Sequence, residues 1–191
     1  MNRKLKLSAH CVAILLIAPL LVLYYLGNSI SEHGVFAGFS QFLSLIPGKV
    51  GSYFRIAFYR FAMTNCHHDC LIGFGTLFSQ TDTEIGERVY IGPQCNIGSC
   101  VIGPDCLIAS GVHIMSGSTQ HSFDEIDVPI QQQLGDYQRI VIGEDTWIGN
   151  GALVMANVGR KCVIGAGSVV TKDVPDYSIM AGNPAKLIKS R

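Results

Sequence analysis

The stretch Ile85-Gly86-Glu87-Arg88-Val89-Tyr90-Ile91-Gly92-Pro93-Gln94-Cys95-Asn96-Ile97-Gly98 repeats one unit every six residues. Four places after each isoleucine stands a small or branched apolar residue: Val89, Cys95 and Val101. The register slips by one and resumes at Ile102-Gly103, Ile108-Ala109 and Ile114, with Cys106 and Val112 in the fourth places. It returns at Ile142-Gly143, Ile148-Gly149 and Val154, with Thr146, Ala152 and Val158. After a two-residue shortfall it ends at Ile164-Gly165 and Val170, with Ser168. A six-residue period fits neither an amphipathic helix nor a long alternating strand. It fits a coil of short strands, with one aliphatic side chain per side pointing inward and glycine allowing the corner. Stacked coils then build a one-dimensional core.

Composition narrows the functional classes. The chain has 191 residues, enough for a buried core, with 14 Lys+Arg against 14 Asp+Glu. That balance leaves no basic excess to neutralise phosphates and argues against nucleic acid. Disorder is excluded by the low charged fraction, 15%. The 7 cysteines are an odd number, which fits a reducing compartment better than a disulfide framework. Cys95, Cys106 and Cys162 read as small inward-facing residues. Cys66-His67-His68-Asp69-Cys70 has metal-like spacing, but no second Cys/His pair answers it, so no metal is expected and the segment reads as a turn into the coils.

Ahead of the coils lies an apolar segment. Leu7 to Ser31 contains no Asp, Glu, Lys or Arg and is long enough to cross a bilayer as a helix. No small-residue cleavage pattern follows it. Arg3, Lys4 and Lys6 precede it and place the amino terminus in the cytoplasm by the positive-inside rule. The division is therefore 1–63 as membrane-anchoring helices, with a transmembrane helix at about 9–30 and a re-entrant or interfacial helix at about 35–63. In the second helix Lys49, Arg55 and Arg60 mix with Tyr53, Phe54, Phe58, Tyr59 and Phe61, which suits headgroup depth. A soluble amphipathic helix packed on the coils is the alternative. Residues 66–191 form the repeat domain.

Several motifs occur together: the Ile-Gly hexads, Ile142 to Asn150 (IGEDTWIGN), Gly165 to Asp173 (GAGSVVTKD) and Ala181 to Lys186 (AGNPAK). In this order they resemble the hexapeptide-repeat acyltransferases, most closely the O-acetyltransferases of bacterial surface polysaccharides and the streptogramin-type acetyltransferases. The resemblance implies an all-β fold, a left-handed parallel β-helix, here with an N-terminal membrane-associated helical segment. It also implies a homotrimer with active sites between subunits and acetyl-CoA as co-substrate.

Between Ile114 and Ile140 the hexads stop. A polar loop of this length on a repeat is usually functional. Its run from Ser116 to Ile130 resembles the family's catalytic loop, 116–139 here, whose histidine corresponds to His121. Imidazole suits a general base for a hydroxyl acceptor, and an activated thioester permits direct transfer without a covalent enzyme intermediate. His113 is the competitor, pointed outward by alternation. Asp124 and Glu125 either orient the imidazole or simply solubilise the loop. His10, His33, His67 and His68 lie outside the repeat and carry no catalytic role. By the resemblance, Trp147 shapes the pantetheine end, Asn150 and Ala166 contact the pantetheine arm, and Thr171, Lys186 and Lys189 stand near the nucleotide. The indole is placed at a coil corner that cannot bury it.

The function expected is a membrane-anchored O-acetyltransferase, its catalytic domain on the cytoplasmic side of the inner membrane. It would act on a sugar hydroxyl in a surface polysaccharide or lipid-linked glycan precursor. A xenobiotic acetyltransferase of the streptogramin type is the enzymatic rival. A metal-dependent hydratase would need three histidine ligands, of which the repeat offers His113 and His121. A non-catalytic scaffold leaves the loop unexplained.

Overall fold

A computed structural model describes residues 3–30 and 34–191. Arg3 and Lys4, as flanking cations, and His33 lie outside the residues whose side chains are described. The chain runs α1 (Arg3–Ile30), α2 (Val35–Ser44) and α3 (Gly48–Ala62), then into a parallel β-solenoid. The solenoid has three faces. The first carries strands Asn65–Cys66, Glu84–Ile85, Cys100–Ile102 and Ile140–Ile142. The second carries Leu71–Ile72, Tyr90–Ile91, Leu107–Ile108, Trp147–Ile148, Val163–Ile164 and Ser178–Ala181, with Lys186–Ser190 closing it antiparallel. The third carries Leu77–Phe78, Asn96–Ile97, His113–Ile114, Leu153–Val154 and Val169–Val170. Single bridges at Val158 and Val174 continue the first face, so the chain completes about six coils.

The register follows the hexads. Ile91 stacks on Ile72 and Ile108, and Ile97 on Phe78 and Ile114, all buried. Cys95, Cys106 and Cys162 are buried in the fourth-place rows, as their spacing indicates. Cys66 and Cys100 join them. Burial pushes the Cys100 thiol up to about 12 and that of Cys106 up to about 11, so at neutral pH these thiols stay protonated and behave as small hydrophobes.

The glycine after each isoleucine does a different job from the one its spacing suggests. The corner itself turns two residues later, where Arg88, Gln94, Asp105, Asp145 and Lys161 adopt positive φ. With Pro93 before Gln94 and Pro104 before Asp105, two of these have the Pro-then-positive-φ order of a type II turn. The Ile-Gly glycine instead lets the next coil approach. A Cβ on Gly143 would lie 2.4 Å from the Arg160 amide nitrogen, across a rung where Gly143 N–H donates to Val158 C=O at 2.8 Å. Gly143→Ala must push two coils apart, so it should cost about 2 kcal/mol. A denaturant titration of the variant checks this, and a loss under about 0.5 kcal/mol would show that the coils yield freely.

Every irregularity of the period falls at one corner, where the third face passes to the first: residues 79–83, 98–99, 115–139, 155–157 and 171–173. Asn157 and Asp173 brace it. Asn157 Oδ1 accepts from Val141 N–H and Asp173 Oδ1 from Asn157 N–H, each at 2.9 Å.

The helices close the open end of the first coil. An unpaired strand edge invites association with another chain. Here Ser52 Oγ accepts from Ile72 N–H at 3.2 Å, Ser40 Oγ from Phe78 N–H at 2.8 Å, and Ser44 C=O from Gly75 N–H at 2.9 Å. Arg55 is fully buried, with Nε and Nη2 donating to Ile72 C=O and Nη1 to Leu43 and Ile46 C=O. This corrects the reading of Arg55 as a headgroup-level cation. Nor is 35–63 one helix, because Leu45 to Pro47 breaks it in two. Tyr59, between Phe36 and Phe78, completes the contact between helices and coils. α1 packs on α3 through Ala13, Ile17, Leu21 and Tyr24, a helical stripe, while its other side is exposed.

Candidate active site

The loop emerges at the irregular corner and is stapled at its root. Gln138 N–H donates to Ser116 C=O at 2.9 Å and Asp136 N–H to Thr119 C=O at 2.8 Å. The limbs then touch: a Cβ on Gly135 would sit 1.9 Å from Gln120 C=O and 2.8 Å from the His121 nitrogen. Only glycine permits that crossing, so Gly135 fixes where the His121 backbone lies. At the tip, the Gln133 amide donates to Glu125 and Val128 C=O, both at 2.8 Å, and its carbonyl accepts from Glu125 N–H at 3.2 Å. This glutamine, one of the three in the loop, holds residues 125–128 in a closed turn, a role its sequence position does not reveal.

His121 is exposed, and its side chain has no hydrogen-bond partner among the described residues. Asp124 accepts from Ser122 Oγ at 3.1 Å and Glu125 is held by its backbone, so neither carboxylate orients the imidazole within the single chain. His113 is also exposed, in the third-face row between Asn96 and Leu153.

The expected coenzyme residues fall into two groups. Thr171 and Lys186 line one cleft of about 410 Å³ with Lys172, Asp173 and Pro184. It lies at the irregular corner, two coils beyond the loop. Lys189 is not part of that cleft; it pairs with Ile179 along the closing hairpin. Asn150 and Ala166 stack at the other corner of the third face, where Gly167 N–H donates to Asn150 C=O at 2.8 Å. Trp147 sits on a second-face strand, not at a corner, and is 50% exposed. The third face, with His113, therefore lies between an edge bearing His121 and the cleft and an edge bearing Asn150 and Ala166.

In the segment 66–70, Cys66 and Cys70 Sγ are 3.9 Å apart and Asp69 pairs with Lys6. No group of three or more His, Cys, Asp or Glu side chains able to hold a metal gathers among the described residues.

Against known proteins, residues 82–116 and 139–172 match the model of the bacterial transferase hexapeptide, six repeats. A putative lipopolysaccharide biosynthesis O-acetyl transferase, WbbJ of Escherichia coli K12, is 34% identical over 124 residues, 61% of this chain and 62% of WbbJ. A chloramphenicol acetyltransferase of Klebsiella aerogenes is 38% identical over 112 residues, 50% of this chain and 53% of that protein. The chain thus spans little more than half the length of these relatives. Among solved structures, the polySia-specific acetyltransferase NeuO superposes with a TM-score of 0.53 at 32% identity, over 65% of this chain and 59% of NeuO.

Proposed function

We propose, from the match of residues 82–116 and 139–172 to the bacterial transferase hexapeptide model, that the chain is an acetyl-CoA-dependent O-acetyltransferase. Its acceptor is a sugar hydroxyl in a surface polysaccharide or lipid-linked glycan precursor, and it works at the cytoplasmic face of a membrane. The observation that carries this reading is the stapled loop with its exposed imidazole, in a chain similar to WbbJ and NeuO.

In the proposed reaction His121 takes the proton of the acceptor hydroxyl as its oxygen attacks the acetyl carbonyl carbon. The carbon–sulfur bond of the tetrahedral intermediate then breaks. The coenzyme leaves as thiolate and receives the proton from the imidazolium. Lys186 and Thr171, sharing a cleft, suit the nucleotide phosphates. Asn150 and Ala166 at a different edge, with Trp147 on the second face beside it, suit the pantetheine arm, so a full site needs the loop edge of one chain against another edge of its neighbour. A homotrimer meets that need. Ile126 and Leu134, 96% and 93% exposed on the loop, supply apolar surface for the contact. The membrane reading rests on α1, uncharged from Leu7 to Ile30.

A drug acetyltransferase is the second reading, favoured by the likeness to the chloramphenicol enzyme. Thiol release from acetyl-CoA, measured with simple sugars, chloramphenicol and a lipid-linked glycan extract as acceptors, separates the two. Release with the glycan extract alone is expected. Release with chloramphenicol alone transfers the chain to the resistance class, and no release with any acceptor removes the enzymatic reading.

A further inference from the structure

The length of α1 suggests a membrane span, but its packing does not fit one. α1 runs beside α3 in the same direction: His10 meets Tyr53 with ring centroids 4.8 Å apart, Tyr24 meets Phe58 at 5.2 Å, and Tyr25 OH donates to Phe61 C=O at 2.7 Å. α3 itself lies across the open end of the solenoid, bonded to Ile72 through Ser52 and Arg55 and leading directly into Asn65. Both ends of α1 meet corners of the first coil. At one end Lys6 pairs with Asp69. At the other, Asn28 shares a polar cavity of about 600 Å³ with Ser79, Gln80 and Thr81.

A helix fixed this way cannot stand along the bilayer normal without taking the coils with it. The first two coils would then lie at hydrocarbon depth beside it, with Asp82, Glu84, Glu87 and Arg88 on their outer surface. Charges and open backbone at that depth are strongly unfavourable. A helix lying in the plane of the interface meets no such cost.

The outer side of α1 suits that placement. Leu15 is 74% exposed, Leu23 58% and Ile30 88%, with Leu16, Val22 and Leu26 among them. Between α1 and α2 a groove of about 300 Å³ is lined by Leu20, Gly34, Val35, Gly38, Phe39 and Phe42, with no charged or hydroxyl side chain. Lys49 and Arg60 stand exposed on α3, where they can meet anionic headgroups.

We infer that α1 to α3 form a monotopic platform, with α1 embedded flat in one leaflet and the coils rising from the same side. This rests on the membrane association proposed above and changes its mode from spanning to lying in plane. The partner is a lipid bilayer, and one leaflet suffices. If the three-fold axis of the proposed trimer runs along the coils, three such platforms face one membrane together.

The test uses the full chain with Cys11 changed to serine and one new cysteine, Leu7→Cys or Ile30→Cys, about 35 Å apart along the helix. Sealed membrane vesicles of known sidedness are treated with a membrane-impermeant maleimide. Labelling of both positions from the cytoplasmic face, at similar extent, is expected. Labelling from opposite faces means a span and overturns the inference while leaving membrane association intact. A chain that floats free of vesicles overturns both. In parallel, Leu15→Glu and Leu23→Glu should each weaken binding to vesicles of phosphatidylglycerol and phosphatidylcholine about tenfold, with the melting profile unchanged. If instead these variants dissociate a soluble oligomer and leave vesicle binding untouched, the outer face belongs to a second copy and the inference fails.

Discussion

Replacing His121 with alanine is expected to lower acetyl transfer from acetyl-CoA by about 10²- to 10⁴-fold, the usual contribution of a positioned general base. The side chain is exposed on the loop, with no partner among the described residues, so its loss should leave folding and melting unchanged. Coenzyme affinity should also hold, because Thr171 and Lys186 lie two coils away in their own cleft. The result is then a fall in kcat at nearly constant KM for acetyl-CoA. His113→Ala is the necessary comparison. It shares the third face but sits on a strand, and its removal should leave most of the rate. If His113→Ala loses the activity and His121→Ala keeps it, the base moves to the strand and the loop becomes an acceptor clamp.

The second large effect is on stability. Arg55→Met removes a fully buried guanidinium that carries bonds to three carbonyls, Ile72, Leu43 and Ile46, at 2.8 to 3.1 Å. No carboxylate pairs with it among the described residues. The carbonyl of Leu43 belongs to the last turn of α2, where the helix dipole is negative, and that of Ile46 to the break just after it. Methionine fills the volume and takes the guanidinium donors from Ile72 and Ile46 C=O, at roughly 1–3 kcal/mol each before relaxation, while Leu43 C=O keeps the Ile46 N–H at 3.3 Å. A loss of about 4 kcal/mol follows, and a fall in Tm of about 10 °C. Lysine should recover only part, since one ammonium cannot fork between Ile72 and α2. Thermal unfolding of both variants decides the matter. Equal stability of Arg55→Met and the parent would show that the helices hold to the coils without this residue.

Much of this was legible because the repeat obeys a local rule. One inward isoleucine every six residues fixes the stacking row by row, and Ile85, Ile91 and Ile97 alone indicate a solenoid. The loop was legible as a failure of the same rule. Arg55 was not, because a cation among aromatics reads equally as a headgroup contact or a cap. Only the carbonyls at Ile72, Leu43 and Ile46 distinguish the two, and they are brought together by tertiary contact. The Ile-Gly glycines were legible as necessary but not in their reason, since the crowding comes from the next coil and not from their own φ. Gly135 and Gln133, which hold the His121 loop in shape, gave no periodic signal. The split of Thr171 and Lys186 from Asn150 and Ala166 depends on which corner each occupies, which becomes visible only once the slips at 98–99 and 155–157 are counted.

The loop also spans levels of the molecule. It leaves where the third coil passes to the fourth, yet Tyr137 on its returning limb lines one cavity with Asn28, Phe36 and Thr81 at the helical layer. Gly135, two residues earlier, touches the His121 backbone. If α1 lies in the leaflet as proposed, the imidazole stands near the membrane surface, and the acceptor within its reach is one still close to its lipid carrier.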